Sequence, residues 1–143
     1  MREEWTRRGF ISAAVAGASA GLATPGISAE PGRTVKIVGI GCSPRAAGTT
    51  AKGLQVALDS ARASSSRIEV ELIELAGMKI NGNLAAGIPL EEGERDDFPA
   101  LVPRLADPLV RGIIVGSPVY FGNMSALCKS FLDRCIEFRR QDF

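Results

Sequence analysis

Strand-like and helix-like segments alternate along this chain, and the alternation restricts the possible folds more than any other feature. Residues 34–41, 67–75 and 111–118 read TVKIVGIG, RIEVELIEL and RGIIVGSP, and these apolar, β-branched runs predict three strands. Apolar residues at helical spacing predict helices over residues 49–63 and 123–138. A β-α-β-α-β-α order predicts an α/β protein with a parallel, doubly wound sheet.

The pattern inside each segment indicates its place in that sheet. The first strand is almost continuously apolar, which is typical of a strand buried on both faces. The second strand alternates Glu69 and Glu71 with apolar residues, which suits a position near a sheet edge. The inner stripe of the last predicted helix consists of Leu127, Phe131, Cys135 and Phe138.

The segment between the second and third strands is harder to assign. Residues 76–95 have no sustained period and predict a structureless loop, a feature that is often functional. Asp96 and Asp97 before Phe98 predict a helix start with a carboxylate cap. Pro103 predicts that this helix is short or kinked, because proline removes a backbone hydrogen bond.

The first 29 residues have the plan of an export signal. Arg7 and Arg8 are followed by Gly-Phe-Ile, an apolar run of about 14 residues and a small residue, Ala29, at a plausible cleavage point. The run is shorter than the roughly 20 residues of a membrane span. We therefore expect a twin-arginine signal peptide over residues 1–29, export to the periplasm or a similar compartment, and no membrane span after cleavage.

The composition excludes several kinds of site in this sequence. The sequence contains no histidine, so histidine-based acid–base catalysis and histidine metal ligands are ruled out. A net charge of +1 with no basic patch gives no reason to expect a nucleic acid or an anionic membrane as partner. Cys128 and Cys135 would lie about 10 Å apart on one helix, too far for a disulfide, and are predicted to be buried.

The loop after the first strand, GCSPRAAGTT over residues 41–50, has the composition of an anion site. It leads into a helix, whose N-terminus offers backbone N–H groups to a phosphate. The hydroxyls, the guanidinium and the small residue available there belong to Ser43, Arg45, Gly48, Thr49 and Thr50. An ordinary turn with a Ser/Thr helix cap would account for the same composition equally well.

The order of residues in this loop disfavours three known types of phosphate-binding loop. A nucleoside-triphosphate loop would need lysine after Gly48, where the chain has Thr49. A tyrosine-phosphatase loop would need arginine at position 48, six residues after Cys42. A dinucleotide fingerprint would need its third glycine at the position of Pro44.

The loop after the third strand, residues 117–124, combines aromatic residues with glycine and a predicted helix cap. Tyr120 or Phe121 could lie against a flat ring, Gly122 could offer its N–H group, and Asn123 could cap the next helix. Burial of Phe121 in the core is an equally good interpretation. Because ligands of such sheets sit beyond the carboxyl ends of the strands, we expect this loop and the loop over residues 41–50 to converge.

The two loops together resemble those of the NADPH-dependent FMN reductase family. The shared motifs are G-C-S-P-R-x-x-G-T-T and G-S-P-V-Y-F-G-N-M-S, and the resemblance extends from about residue 35 to residue 134. It implies a flavodoxin-like three-layer α/β/α fold that binds FMN. The phosphate would be held by Ser43, Arg45, Thr49 and Thr50, and the isoalloxazine would be lined by Pro118, Tyr120, Phe121, Gly122 and Asn123, with Gly48 and Val119 completing the site.

The resemblance also implies an activity. We expect an FMN-dependent oxidoreductase that takes electrons from NAD(P)H and passes them to a quinone, a flavin or another small acceptor. We expect neither a catalytic side chain nor a metal. We expect the chain to form a homo-oligomer, either a dimer or a tetramer. A flavodoxin-type electron carrier and a non-functional fragment are the alternatives.

The sequence departs from the family in two ways. The iron–sulfur branch carries a cysteine cluster after the second strand, whereas residues 79–87 contain no cysteine, so no cluster is expected. The family also continues with two further strands. We therefore expect residues 30–143 to form only the first part of the domain, with strand order 2-1-3. The third strand, with Ile113 and Val115, would then be an exposed apolar edge.

Overall fold

A computed structural model of the chain describes residues 33–138. The signal peptide expected over residues 1–29 therefore lies outside the described residues and stays a prediction. Within residues 33–138, no helix has both the length and the apolar character that crossing a membrane requires.

The described residues follow the predicted alternation of strands and helices. The elements are β1 (Val35–Gly41), α1 (Thr49–Ser64), β2 (Ile68–Glu74), two 3-10 helices (Gly82–Ala86 and Phe98–Ala100), α2 (Val102–Leu105), β3 (Val110–Gly116), the short strands β4 (Val119–Tyr120) and β5 (Asn123–Met124), α3 (Ala126–Arg134) and a last 3-10 helix (Cys135–Phe138). The three long strands and α1 agree with the prediction to within two residues at each end.

The three long strands form one parallel sheet in the order β2-β1-β3. At the carboxyl end, Gly41 of β1 is in register with Glu74 of β2 and Gly116 of β3, so the strands end level with one another. This arrangement confirms the predicted strand order and the flavodoxin-like α/β fold. It also places the loops that leave β1 and β3 side by side.

Helix α1 covers one face of the sheet at unusually close range. A Cβ atom added to Gly39 would lie 2.9 Å from Cδ1 of Leu58, and one added to Gly116 would lie 2.8 Å from Cγ of Leu54. Any side chain at these two glycines would therefore clash with the helix. The glycines of β1 and β3 allow α1 to pack directly on the backbone of the strands.

The opposite face of the sheet carries the main hydrophobic core. Val38 and Ile40 of β1 are fully buried there against Phe98 and Phe131, whose rings lie 6.1 Å apart. The predicted stripe on the last helix is confirmed, because Phe131 belongs to this core and the other three residues pack against it. At the β3 edge, Ile113 and Val115 are 47% and 39% exposed, as expected for an apolar edge strand.

A buried ion pair attaches α3 to the segment before α2. Nη1 of Arg134 donates to Oδ2 of Asp96 at 2.6 Å, both side chains are at least 96% buried, and the guanidinium lies 4.5 Å from the centre of the Phe98 ring. Burial lowers the pKa of Arg134, but hydrogen bonds to Asp96 and Glu137 raise it more. The guanidinium therefore stays charged inside the core, where its partners satisfy it.

Two local predictions for residues 76–103 are wrong. Residues 82–86 form a 3-10 helix, so the segment is not structureless. The Asp97 carboxylate does not cap a helix; it accepts a hydrogen bond from the Lys79 N–H group at 2.8 Å and pairs with Arg95. The Asp97 carboxylate thus binds Lys79 and Arg95 and leaves the start of the 3-10 helix without a side-chain cap. The expected short helix is confirmed, since α2 has only four residues around Pro103.

Ser125 connects the carboxyl ends of β1 and β3 to the start of α3. Its hydroxyl donates to the carbonyl of Cys42 at 2.8 Å and accepts from the N–H group of Cys128 at 3.1 Å. Its backbone N–H group donates to the hydroxyl of Ser117, just beyond β3, at 2.9 Å. Ser125 is only 2% exposed, so these polar groups have no water to replace a lost partner.

We predict that Ser125→Ala lowers the free energy of unfolding by about 2–4 kcal/mol. The change removes a helix cap, worth about 1 kcal/mol, and leaves the buried Cys42 carbonyl without its partner, which costs a further 1–3 kcal/mol. Urea denaturation followed by circular dichroism measures the difference. Ser64→Ala is the control, because its exposed hydroxyl bonds only to Ala61. A loss no larger than that of the control would contradict the assigned role.

Candidate functional site

The loop that leaves β1 is shaped by one buried serine. Ser43 is 8% exposed, and its hydroxyl accepts a hydrogen bond from the N–H group of Arg45 at 3.1 Å. This bond turns the chain just after the sheet ends. The side chain of Arg45 is exposed beyond the turn.

The N-terminus of α1 lacks a side-chain cap. Gly48 occupies the capping position and has no side chain to offer, and the first turn contains no acidic residue. The N–H groups of the first turn therefore keep their hydrogen-bonding capacity, and the dipole of this 16-residue helix adds partial positive charge. No Ser or Thr side chain caps α1, so the interpretation of residues 41–50 as an ordinary turn with a Ser/Thr helix cap is wrong.

A cavity of about 320 Å³ opens at this helix end. Its lining residues are Ser43, Arg45, Ala46, Gly48, Thr49, Thr50, Lys52 and Pro118. The four residues predicted to hold the phosphate and Gly48 beside them thus lie around one space. The lining contains two cations, three hydroxyl groups and no carboxylate, and neither cation has an ion-pair partner within residues 33–138.

Sequence reasoning missed Lys52 as a site residue. It lies three residues after Thr49, on the first turn of α1, and is exposed. Helices normally carry acidic residues in the first turn, because the helix dipole repels cations there. A lysine in the first turn with no acidic neighbour is a signal for an anionic ligand that could have been read from the predicted helix start.

The loop that leaves β3 folds into a small hairpin that was not predicted. Val119 and Tyr120 pair in antiparallel fashion with Met124 and Asn123. The two residues of the turn, Phe121 and Gly122, have positive φ angles of 49° and 75°. This combination is typical of the tight turns that suit the twist of β-hairpins.

The hairpin stands apart from the cavity. Of the five residues predicted to line the isoalloxazine, only Pro118 lines the cavity, and Val119 does not line it either. Val119 is 73% exposed and Phe121 is fully exposed, so burial of Phe121 in the core is wrong. The predicted capping role of Asn123 is also wrong, since Ser125 caps α3 while the Asn123 side chain accepts from the N–H group of Met124. A contact between the hairpin and the isoalloxazine ring of FMN stays a prediction.

A second and larger cavity, of about 630 Å³, lies in the loop before α2. It is lined by Lys79, Ile80, Asn81, Gly93, Glu94 and Arg95. Its charged groups are largely engaged: Arg95 pairs with Asp97, and Glu94 accepts from the side chain of Asn81 at 3.2 Å. Despite its size, this cavity is less suited to an anion than the cavity at α1, because it includes the Glu94 carboxylate and the short 3-10 helix that begins there is already capped by Asn81.

None of the three cysteines lies in the loop after β2. The sequence contains three cysteines, one fewer than a cluster bound by cysteine alone requires. Cys42 is fully buried, and burial, followed by the neighbouring Cys128, raises the pKa of its thiol to about 12. The buried positions of Cys42 and Cys128 indicate a packing role.

Two curated proteins are similar to this chain. An iron–sulfur flavoprotein of Methanocaldococcus jannaschii is 36% identical over 103 residues, which cover 70% of this chain and 51% of the relative. An iron–sulfur flavoprotein of Archaeoglobus fulgidus is 37% identical over 107 residues, which cover 73% and 47%. The chain therefore spans about half the length of the curated relatives it matches.

A family model gives the same result on a longer segment. The model for NADPH-dependent FMN reductase matches residues 35–142, which include all three long strands, the cavity at α1 and the hairpin. The match covers more than two thirds of the sequence and agrees with the resemblance carried by the two loops. This chain belongs to the NADPH-dependent FMN reductase family.

Proposed function

We propose that the chain binds FMN with its phosphate in the cavity at the N-terminus of α1. One observation carries the proposal: an uncapped helix end, two cations without an ion-pair partner in residues 33–138 and three hydroxyl groups surround a space whose lining has no carboxylate. Such a space suits a phosphate, which gains from charge, from hydroxyl donors and from free N–H groups together. Family membership supports FMN as the molecule that carries this phosphate.

Each group around the cavity would act on a different part of the phosphate. The guanidinium of Arg45 supplies a planar fork of donors, while the ammonium of Lys52 supplies a compact charge from the first turn. The hydroxyls of Thr49 and Thr50 add donors at the helix end. Both cations are exposed and have no ion-pair partner among residues 33–138, so they can reach the ligand without breaking an ion pair within that part of the chain.

The hairpin is proposed to meet the flavin ring. Pro118 connects the cavity to β4, so a ligand that extends from the cavity past Pro118 would reach the hairpin. Tyr120 and Phe121 offer exposed aromatic surface, and the turn at Gly122 offers backbone N–H groups. Covering part of this apolar surface would favour binding through the hydrophobic effect.

We propose further that the chain is an oxidoreductase that uses NAD(P)H. When bound, FMN supplies the redox chemistry by accepting hydride from reduced nicotinamide and passing electrons to a quinone, a flavin or another small acceptor. The residues of this chain hold and orient the cofactor and supply no acid or base. The near-neutral net charge of +1 favours turnover of small molecules over docking of a flavodoxin-type carrier on partner proteins.

Assembly and export are also proposals. The apolar β3 edge and the exposed hairpin favour a homo-oligomer, because surfaces of this kind are usually covered. The segment over residues 76–95 is proposed to approach the substrate or a neighbouring subunit. The arginine pair and apolar run in residues 1–29 support export through the twin-arginine route.

We predict that the chain binds FMN more tightly than riboflavin, which has the same ring but no phosphate. Arg45→Ala and Lys52→Ala should each weaken FMN binding about tenfold, since a hydrogen bond to a charged group contributes about 1.5 kcal/mol or more. Riboflavin binding should change less than twofold. Quenching of flavin fluorescence measures both affinities.

Arg62→Ala is the matched control for this experiment. Arg62 lies on the last turn of the same helix and pairs with Asp59 at the surface, so its loss should leave FMN binding unchanged. Equal affinity of the wild-type chain for FMN and riboflavin would contradict a phosphate site at α1.

We predict that NADH or NADPH bleaches the visible absorbance of the bound flavin. Anaerobic stopped-flow mixing measures the rate, and reduction by dithionite is the control that the flavin can be reduced at all. Bleaching by dithionite with no bleaching by either nicotinamide would contradict the reductase and favour the electron carrier.

A further inference from the structure

The loop at the cavity contains a backbone conformation that its sequence does not favour. Ala47 has a φ angle of +52°, in the left-handed region that residues with a Cβ atom rarely adopt. Gly48, which follows, has an ordinary φ of −79° that any residue could take. Left-handed backbone is unfavourable for an alanine because its Cβ atom crowds the carbonyl oxygen, so another interaction must offset this cost.

The compensating interaction comes from β2. Oε1 of Glu74 accepts a hydrogen bond from the N–H group of Ala47 at 2.8 Å, across 27 residues of sequence. Glu74 is the last residue of β2 and is in register with Gly41 of β1. The N–H group of Leu75 donates to the Gly41 carbonyl at 2.9 Å, so the backbone around Glu74 is anchored to the sheet.

The side chain of Glu74 reaches the loop through space left by a glycine. A Cβ atom added to Gly41 would lie 3.5 Å from Cγ of Glu74, so the carboxylate stem runs beside the bare backbone of β1. The carboxylate therefore acts from a fixed base on the edge of the sheet. It is a brace between β2 and the loop that leaves β1.

This brace determines which groups of the loop face the cavity. Ala46 and Gly48 line the cavity, whereas Ala47 between them does not, and its N–H group is directed to Glu74. A carboxylate near a phosphate site would by charge alone weaken anion binding. The presence of the Glu74 carboxylate beside the cavity is best explained by the conformation that it imposes on Ala47.

We propose that Glu74 is a positioning residue that sets the preference of this site for a phosphorylated flavin. It holds Ala47 in the left-handed conformation, and thereby directs Arg45, Ala46 and Gly48 towards the phosphate. This inference rests on the proposed function, in which the cavity at α1 binds the phosphate of FMN.

The test uses two substitutions of Glu74 that remove the same charge. Glu74→Gln keeps a side-chain oxygen that can accept from Ala47, so its FMN affinity should equal or exceed that of the wild type. Glu74→Ala has no acceptor, and its FMN affinity should fall about fivefold. Riboflavin affinity, measured by the same fluorescence quenching, should change less than twofold in both.

Two further variants make the test specific. Glu69→Ala removes an exposed carboxylate from the same strand, about 16 Å away at 3.3 Å per residue, and should leave both affinities unchanged. Ala47→Gly added to Glu74→Ala should recover part of the lost FMN affinity, because glycine adopts the left-handed conformation without a partner.

The outcomes separate this inference from the proposed function. If the wild type prefers FMN but Glu74→Ala binds FMN as well as or better than the wild type, the carboxylate acts only by charge and the positioning role is overturned. Equal losses for FMN and riboflavin would indicate general destabilisation and would also overturn it. If the wild type itself shows no preference for FMN over riboflavin, both the positioning role of Glu74 and the phosphate site at α1 are contradicted.

Discussion

The buried hydroxyl of Ser125 is the interaction on which the arrangement of this end of the molecule depends. It joins the end of β1, through the Cys42 carbonyl, to the first turn of α3, while the Ser125 N–H group binds Ser117 beyond β3. The loops after β1 and β3 are therefore held in one place. A parallel sheet brings the strand ends to one edge, and this serine determines how the loops leave it.

The same serine creates a difference between two helices that begin near that edge. In α3, the Ser125 hydroxyl accepts from the N–H group of Cys128, whereas α1 begins at Gly48 without a side-chain cap. Helix α1 also has Arg45 and Lys52 beside its first turn, where both line the cavity. The absence of a side-chain cap at Gly48 supports the proposed phosphate site, because the first N–H groups of α1 are left for another acceptor.

The sequence predicted the scaffold better than the details of the site. The hydrophobic period extends over seven residues in each long strand, so β1, β2 and β3 were predictable from their own residues. Their order was predictable from the family resemblance. The hairpin at Val119–Met124 has strands of two residues, too short for any period. The cap at Ser125 rather than Asn123 depends on the distant Cys42 carbonyl, which no local pattern reveals.

Long-range partners explain the other misses. Asp97 looks locally like a helix cap, yet Lys79 and Arg95 compete for its carboxylate. Ala47 carries no sequence signal for a left-handed conformation, because the carboxylate that holds it lies on another strand. By contrast, Arg45, Thr49 and Thr50 were predictable as neighbours, since they follow one strand directly and share one helix end.

The central claim is that the N-terminal end of α1 receives the phosphate of FMN. Titration of the ¹⁵N-labelled chain with FMN, followed by amide NMR spectra, tests it most directly, with riboflavin as the matched ligand. The account predicts that FMN shifts the amide resonances of residues 43–52 far more than riboflavin does. Shifts confined to the cavity over residues 79–95, or the same shifts at residues 43–52 with both ligands, would contradict it.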